Sequence, residues 1–529
     1  NDSNKVSLNE LTTLVENQLK ESKESKEVLT KSTIEPNIIN ITDNLIEQTL
    51  TNKSDDLIGF PNEQKVINES SNIPIDENTE IKKVMKARSV PSTQLERMWG
   101  FGSLAARMAF GVATESAARV LNISDDNSNN NPRTLSDANA ERLAEALCRM
   151  RGAALKLGQM LSIQDDGVLP PALSKALERV RQSADYMPKN QLEQQLVLQL
   201  GESWRSKFLE FEDIPIAAAS IGQVHRAKLL DDTIVAVKIQ YPGVADSIES
   251  DLQNLKRLVN ITNLLPPGLY IDQIIKVATE ELAQECNYVS EAQSQIKYRD
   301  FVLADPIVRK HVTVPEVYLD YSTNRILTTK LVPGISIEKA IMYSQQTRNA
   351  IARTILITTI KELFVWRCIQ SDPNFSNFLY DHNNKMINMI DFGATREYSK
   401  SFVDLYMKLV WAAANKDVNS IIELSKQLHF LTGDETIEMI NAHVETGLIV
   451  GEPFLTTNPT FDFANSKLTR RISQYGDIFM KYRLTPPPTE AYSLHRKLAG
   501  AFLLCIKLKA NIPCRDILED IYKSYQFDS

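Results

Sequence analysis

The chain has 529 residues, 43% of them hydrophobic, and a formal net charge of −8. That length buries at least one large core and makes two or three domain-sized units, while the acidic balance argues against nucleic acid as a partner. Five scattered cysteines without C-x-x-C spacing and six histidines without a close pair exclude a disulfide framework and a Cys/His zinc site. A reducing compartment fits, and any metal must be held by oxygen ligands.

Residues 1–90 are rich in Asn, Ser, Lys, Glu and Ile, with apolar residues that keep no period, which predicts a mostly disordered extension. The first residue is Asn1, and removal of a targeting segment ahead of it is compatible with this. Lys82, Lys83, Lys86, Arg88 and Arg97 then precede a stretch of small and aromatic residues, so 91–122 reads as a membrane-associating amphipathic or transmembrane-like helix. An ordinary amphipathic helix docked on the protein body fits the same residues. A turn-rich linker at 123–137 follows, and Leu143, Leu147, Met150, Ala154, Leu157 and Leu161 then mark one long helix within a helical segment, 134–207. "KLGQ" sits on its neighbouring face.

Between 208 and 333 the pattern is α+β: "IVAVKIQY" and "RILTTKLVPG" read as strands, and 246–300 between them as helical. The region 334–529 is mainly helical, with one hairpin made by "NFLY", a turn at Asp381–Asn384, and "KMINMIDFG".

Phosphoryl transfer of the kinase type needs a strand lysine, a helix glutamate to hold it, and metal ligands beside a catalytic carboxylate. Lys238 ends "VAVK". Asp372 and Asn377 have the five-residue separation of a kinase catalytic loop, and Asp391 opens "DFG" fourteen residues beyond Asn377. Each motif alone is weak, since D-P-N is a good turn and a strand lysine is usually surface. Their order and matching secondary structure carry the reading. "EELAQECNYVSEA" offers Glu280, Glu281, Glu285 and Glu291 on one helix; Glu285 is the expected partner of Lys238 and Glu291 the next choice.

Taken with "KLGQMLSIQDD" (156–166), "ERVRQSAD" (178–185), "AAASIGQVH" (217–225), "KIQYPGV" (238–244), "SDPNFSNF" (371–378), "IDFGATREY" (390–398) and "PPPTEAYSLHRK" (486–497), the chain resembles the UbiB family of atypical kinase-like proteins of mitochondrial coenzyme Q biosynthesis. The resemblance covers roughly 85–525. It implies a two-lobed, protein-kinase-like α+β fold, with lobes 208–333 and 334–529 and the K-x-G-Q extension packed over the active site. It assigns Asp372, Lys238 and Glu285 to catalysis and Asn377 and Asp391 to the metal. Ala217, Ala218, Ala219, Ser220, Gly222, Lys238, Leu331 and Val332 fall to the nucleotide, and Lys156, Gly158, Gln159 and Glu291 to a family-specific cleft, with Gly152 easing helix packing.

The departures from ordinary kinases are the alanines where a phosphate loop carries glycine, Gln370 and Ser371 before Asp372 in place of H-R, and the lack of an A-P-E segment. The resulting expectation is an ATPase with kinase chemistry, using ATP/ADP and Mg²⁺, on the matrix side of the inner mitochondrial membrane. Its implied partners are coenzyme Q biosynthetic enzymes, lipid intermediates of coenzyme Q and anionic membrane lipid; a homodimer is compatible. A small-molecule or protein kinase and a nucleotide-binding scaffold remain as alternatives.

Overall fold

The structure is a computed structural model that describes residues 87, 89–91, 93, 95–100, 102–104, 106–107, 186–262, 271–372, 374–457 and 459–528, all within one compact unit, Phe60–Ser529. The expected extension up to residue 86, the expected linker at 123–137 and the helix expected to carry Gly152, Lys156, Gly158 and Gln159 lie outside the described residues.

Helix α1 (Lys189–Leu200) precedes an antiparallel sheet of β1 (Phe208–Phe211), β3 (Gly222–Leu229), β4 (Ile234–Gln240) and β6 (Ile326–Lys330), in the order β1-β3-β4-β6, with the short β2 (Ala217–Ala218) pairing with β3. In β4 the alternation of a strand puts Val235, Val237 and Ile239 into the core, each wholly buried, and turns Lys238 to the opposite face. Between β4 and β6 run α2 (Val244–Thr262), α3 (Ile271–Glu285) and α4 (Tyr288–Ala304), with β5 (Val312–Thr313) after them. The expected single helix through 280–291 is therefore two. The break falls at Cys286–Asn287, where the Asn287 side chain accepts from the Ser290 N–H at 3.2 Å and caps a new helix.

After Gly334 the chain is mostly helical. Gly334 holds φ 130°, and a Cβ there would stand 2.9 Å from the Tyr380 carbonyl carbon, so the crossing has no room for a side chain. The strand β7 (Ile335–Ser336) leads to α5 (Gln345–Phe364), buried over almost its whole length. Its Thr354 and Thr358 hydroxyls satisfy themselves by donating to the carbonyls of Ala350 and Thr354 at 2.8 Å each. Next come β8 (Cys368–Gln370), β9 (Phe378–Asp381), β10 (Met386–Met389) and β11 (Thr395–Glu397). Strands β9 and β10 form the expected hairpin, while β8 pairs with β11. Helices α6 (Lys400–Ala414), α7 (Val418–Gln427), α8 (Ile437–Gly451), α9 (Thr489–Lys507) and α10 (Arg515–Ser524) complete the lobe, with two short helices between α8 and α9.

Residues 95–100, 102–104 and 106–107 are helical. Arg97, expected among the basic residues facing a membrane surface, is instead 1% exposed and donates to Asp251 on α2 at 2.6 Å. Burying a guanidinium requires such a partner, and this ion pair with Val90 and Leu104 ties the segment to the core of the sheet lobe. Leu95, Met98 and Trp99, one helical face, remain 78%, 59% and 81% exposed. Among the described residues no helix is long and apolar enough to cross a membrane.

A second buried pair holds the helical lobe together: Lys497 on α9 lies 2.9 Å from Glu362 on α5, the side chains 5% and 0% exposed. Burial pushes Glu362 up to about 7, against the downward pull of Lys497. Lys497→Met should cost about 3 kcal/mol or more in urea denaturation, because it strands the carboxylate. The double variant with Glu362→Leu should recover most of that loss; equal instability of single and double variants would contradict this account.

Candidate active site

Sheet register decides where the lysine goes. Val224 on β3 and Leu327 on β6 flank Lys238 on its two sides, so the ammonium leaves from the middle strand toward α4. There it donates to both oxygens of Glu291, at 2.7 and 3.0 Å, and to Asp391 Oδ2 at 3.3 Å. The expected partner, Glu285, is thus corrected to Glu291. Glu285 ends α3 and Glu291 stands in the first turn of α4, and the Asn287 cap between them swings the second carboxylate onto the lysine. Glu285 stays close: a Cβ on Gly393 would stand 3.4 Å from its Cγ and 3.5 Å from Glu291 Oε2.

The three donors of the ammonium are spent on carboxylate oxygens, and the ring of Tyr288 lies beneath it at 5.0 Å. Lys238 is held well above its ordinary value: burial works against this, but Asp391 and Glu291 outweigh it. Burial raises Glu291 to about 7, with Lys238 pulling down and Asp391 adding to the rise.

The hairpin supplies the opposite side. Because Phe378 pairs with Met389, Asn377 and Asp391 emerge at the same open end of neighbouring strands, and the Ile390 N–H donates to the Asn377 carbonyl at 2.8 Å. The Asn377 amide donates to Asp372 Oδ2 at 3.2 Å, leaving its oxygen for a cation. Asp391 sits at φ 69°, a left-handed conformation, with its Oδ1 accepting from the Gly393 N–H at 3.3 Å. Lys238, Asp372, Asn377 and Asp391, read from three separate motifs, therefore line one cleft.

Over the cleft, Ala217 and Ala218 form β2, and the Ala219 N–H donates to the Gly222 carbonyl at 2.7 Å. The alanines make a closed hairpin with Ser220 and Ile221 at its tip, rather than an open loop of free amides. Gly222 is buried against β4: a Cβ there would stand 2.6 Å from the Ile239 carbonyl oxygen. Leu331 and Val332 are half-buried where β6 runs out toward Gly334, the Leu331 N–H donating to Ile234 at 3.1 Å.

Residues given no role from sequence complete the site. Arg496 on α9 grips Glu281 on α3 with both guanidinium nitrogens, at 3.0 and 3.2 Å, and donates from Nε to the Ser371 carbonyl beside Asp372 at 3.2 Å. Gln370, in place of the usual kinase histidine, donates to the Asp391 carbonyl at 3.2 Å and accepts from Lys497 at 3.4 Å. The only signal was "HRK" in a stretch without chemical pattern.

Glu291 makes stability depend on pH. Its folded value of about 7 lies above the ordinary 4.5, so folding takes up a proton between these limits. The stability it contributes is full below about pH 4.5 and is lost as pH rises through about 7. The stability difference between wild type and Glu291→Gln, measured in urea, should fall by about 2 kcal/mol from pH 5 to 7.5; a flat difference would refute it.

Residues 179–425 match the ABC1 atypical kinase-like domain. The chain is 41% identical over 456 residues to the atypical kinase COQ8, mitochondrial, of Saccharomyces cerevisiae, covering 85% of this chain and 89% of that one. It is 44% identical over 447 residues to the atypical kinase coq-8, mitochondrial, of Caenorhabditis elegans, covering 83% of this chain but 58% of the relative's length. A solved structure titled as the complex of Rv3197 with erythromycin from Mycobacterium tuberculosis shares the fold, with a TM-score of 0.52 at 23% identity, covering 73% of this chain and 96% of that one. With these matches added to the cleft, the chain belongs to the UbiB family of atypical kinase-like proteins, whose kinase-like unit is the ABC1 domain.

Proposed function

We propose that the chain is an atypical kinase-like ATPase that binds Mg-ATP and Mg-ADP between a sheet lobe, 208–333, and a helical lobe, 334–529. A role in coenzyme Q biosynthesis in a mitochondrial setting is supported by the names of its relatives, the mitochondrial atypical kinases COQ8 and coq-8. The observation that carries the reading is the convergence of Lys238, Glu291 and Asp391 within 3.3 Å, with Asn377 and Asp372 joined at 3.2 Å beside them.

In this reading Glu291 presents the Lys238 ammonium to the α and β phosphates. The donor set suits Mg²⁺, a hard cation that takes few protein oxygens and completes its shell with phosphate and water. Asn377 and Asp391 would hold it, and the bound ion supplies neutralisation of charge on the phosphate oxygens. Asp372, oriented by the Asn377 amide, accepts the proton of the attacking water or hydroxyl. The nucleotide packs against Leu331 and Val332, under the hairpin of Ala217–Ala219 with Ser220.

In this reading the hairpin disfavours transfer to other proteins. An Ala219 amide spent on Gly222 is withdrawn from the γ-phosphate, which favours hydrolysis or a small acceptor over phosphorylation in trans. In this reading the chain couples to the matrix side of the inner membrane; contact with a membrane surface is supported by the exposed face of Leu95, Met98 and Trp99. The partners in this reading are lipid intermediates of coenzyme Q, anionic lipid and the biosynthetic enzymes. Lys156, Gly158 and Gln159 are given a role beside the nucleotide by the family resemblance alone.

ATP hydrolysis by the full chain with Mg²⁺ should rise with liposomes containing anionic lipid and fall at least a hundredfold in Asp391→Asn. Nucleotide binding without turnover in every condition would leave a scaffold instead. Ala218→Gly or Ala219→Gly should increase ³²P incorporation into the chain itself, and no incorporation with unchanged ATP/ADP preference would remove the hairpin from the explanation.

A further inference from the structure

Tyr288 is the first residue of α4, directly behind the Asn287 cap, and it is wholly buried. Among the described residues its hydroxyl has no hydrogen-bond partner. Burial also holds the phenol far above its ordinary value, so it stays neutral beside the charged groups. A large ring with an unserved hydroxyl is an expensive choice for the core of a cleft, and packing alone would be met by phenylalanine.

What the ring does follows from where it lies. The Lys238 ammonium sits 5.0 Å from its centroid, with Glu291 and Asp391 taking the ammonium's hydrogen bonds. A carboxylate competes with phosphate for those N–H donors; a ring face attracts the cation and takes none of them. Tyr288 is thus the neutral wall of an otherwise anionic enclosure.

Room for that wall comes from β3. Gly222 pairs with Gln240 and Val224 with Lys238, so the missing side chain of Gly222 lies on the same face of the sheet as the lysine. A Cβ at Gly222 would stand 2.8 Å from the Tyr288 hydroxyl oxygen and 2.6 Å from the Ile239 carbonyl, which cannot give way without moving β4. Glycine at 222 is therefore required both by the β4 backbone and by the phenol it admits, and the phosphate loop and the lysine are linked through one side chain.

We propose that Tyr288 is a positioning residue for Lys238: seated in the notch at Gly222, its ring holds the ammonium in the cleft without taking any of the donors that nucleotide phosphate would draw away from the carboxylates. The proposal rests on the reading of Lys238 as the phosphate-binding lysine, and the test separates the two.

Phenylalanine and its mono-, di- and trifluorinated forms are placed at 288 of the full chain by codon suppression. Binding of methylanthraniloyl-ADP with Mg²⁺ and the melting temperature are measured on each. Fluorine drains charge from the ring face with little change of shape, so a packing role is preserved while a cation–π role is weakened in steps. The dissociation constant should rise with each fluorine, about tenfold from phenylalanine to the trifluoro form, at a constant melting temperature. Gly222→Ala should weaken binding in the same direction. A dissociation constant flat across the series, or one that changes only together with the melting temperature, overturns the proposal. Lys238→Met serves as the control. If it binds the nucleotide as tightly as wild type, the reading of the cleft fails and the proposal with it; if it abolishes binding while the series is flat, only Tyr288's role is lost.

Discussion

The ion pair between Lys238 and Glu291 is the constraint around which the cleft is arranged. Removing an ammonium and a carboxylate from water costs several kcal/mol each, and only close, well-directed contacts offset it. Neither β4 nor α4 provides those contacts alone. The pair forms because strand alternation turns Lys238 away from Val237 and Ile239, and because Asn287 starts a helix whose first turn carries Glu291. Asp391 then enters as a second anion on the same ammonium, which brings the helical lobe into a site begun in the sheet lobe.

The helical lobe answers with positioning rather than with more charge at the centre. Ser371 donates through its N–H and hydroxyl to the Ala394 carbonyl, Gln370 holds the carbonyl of Asp391, and the Ile390 amide binds the Asn377 carbonyl. Two of these are backbone bonds that continue the β8–β11 and β9–β10 pairings and two are side-chain bonds to backbone carbonyls, so Asp372, Asn377 and Asp391 are placed by the strand ends and the side chains beside them. Side chains so held are displaced little when charge arrives, which is the property that electrostatic stabilisation of phosphoryl transfer requires.

How much of this was legible in the sequence follows from the range of the interactions. The D-x₄-N and D-F-G motifs, the strand lysine and the hairpin are local patterns, and the structure unites their side chains. Choosing between Glu285 and Glu291 failed because it turned on a helix break: "EELAQECNYVSEA" was read as one helix, and a single Asn287 cap decided otherwise. Arg97 was left open between a membrane surface and the protein body for a related reason. A basic residue before an apolar stretch looks like a membrane anchor until Asp251, 154 residues away, claims it. The roles of Tyr288, Gln370 and Lys497 were not readable, since a buried polar group declares its purpose only through neighbours from other parts of the chain.

Arg496 has a consequence for what counts as the unit of this protein. It lies 125 residues beyond Ser371 and 215 beyond Glu281, yet it touches both, at the shoulder of Asp372. The recognisable ABC1 domain stops at residue 425, so a fragment cut there keeps Lys238, Asp372, Asn377 and Asp391 while losing the clasp on the loop that bears Asp372. Possession of the motifs and possession of a working site are then separate inheritances. The last helices, which carry none of the kinase-like motifs, are as much a part of the active centre as the motifs by which the family is known.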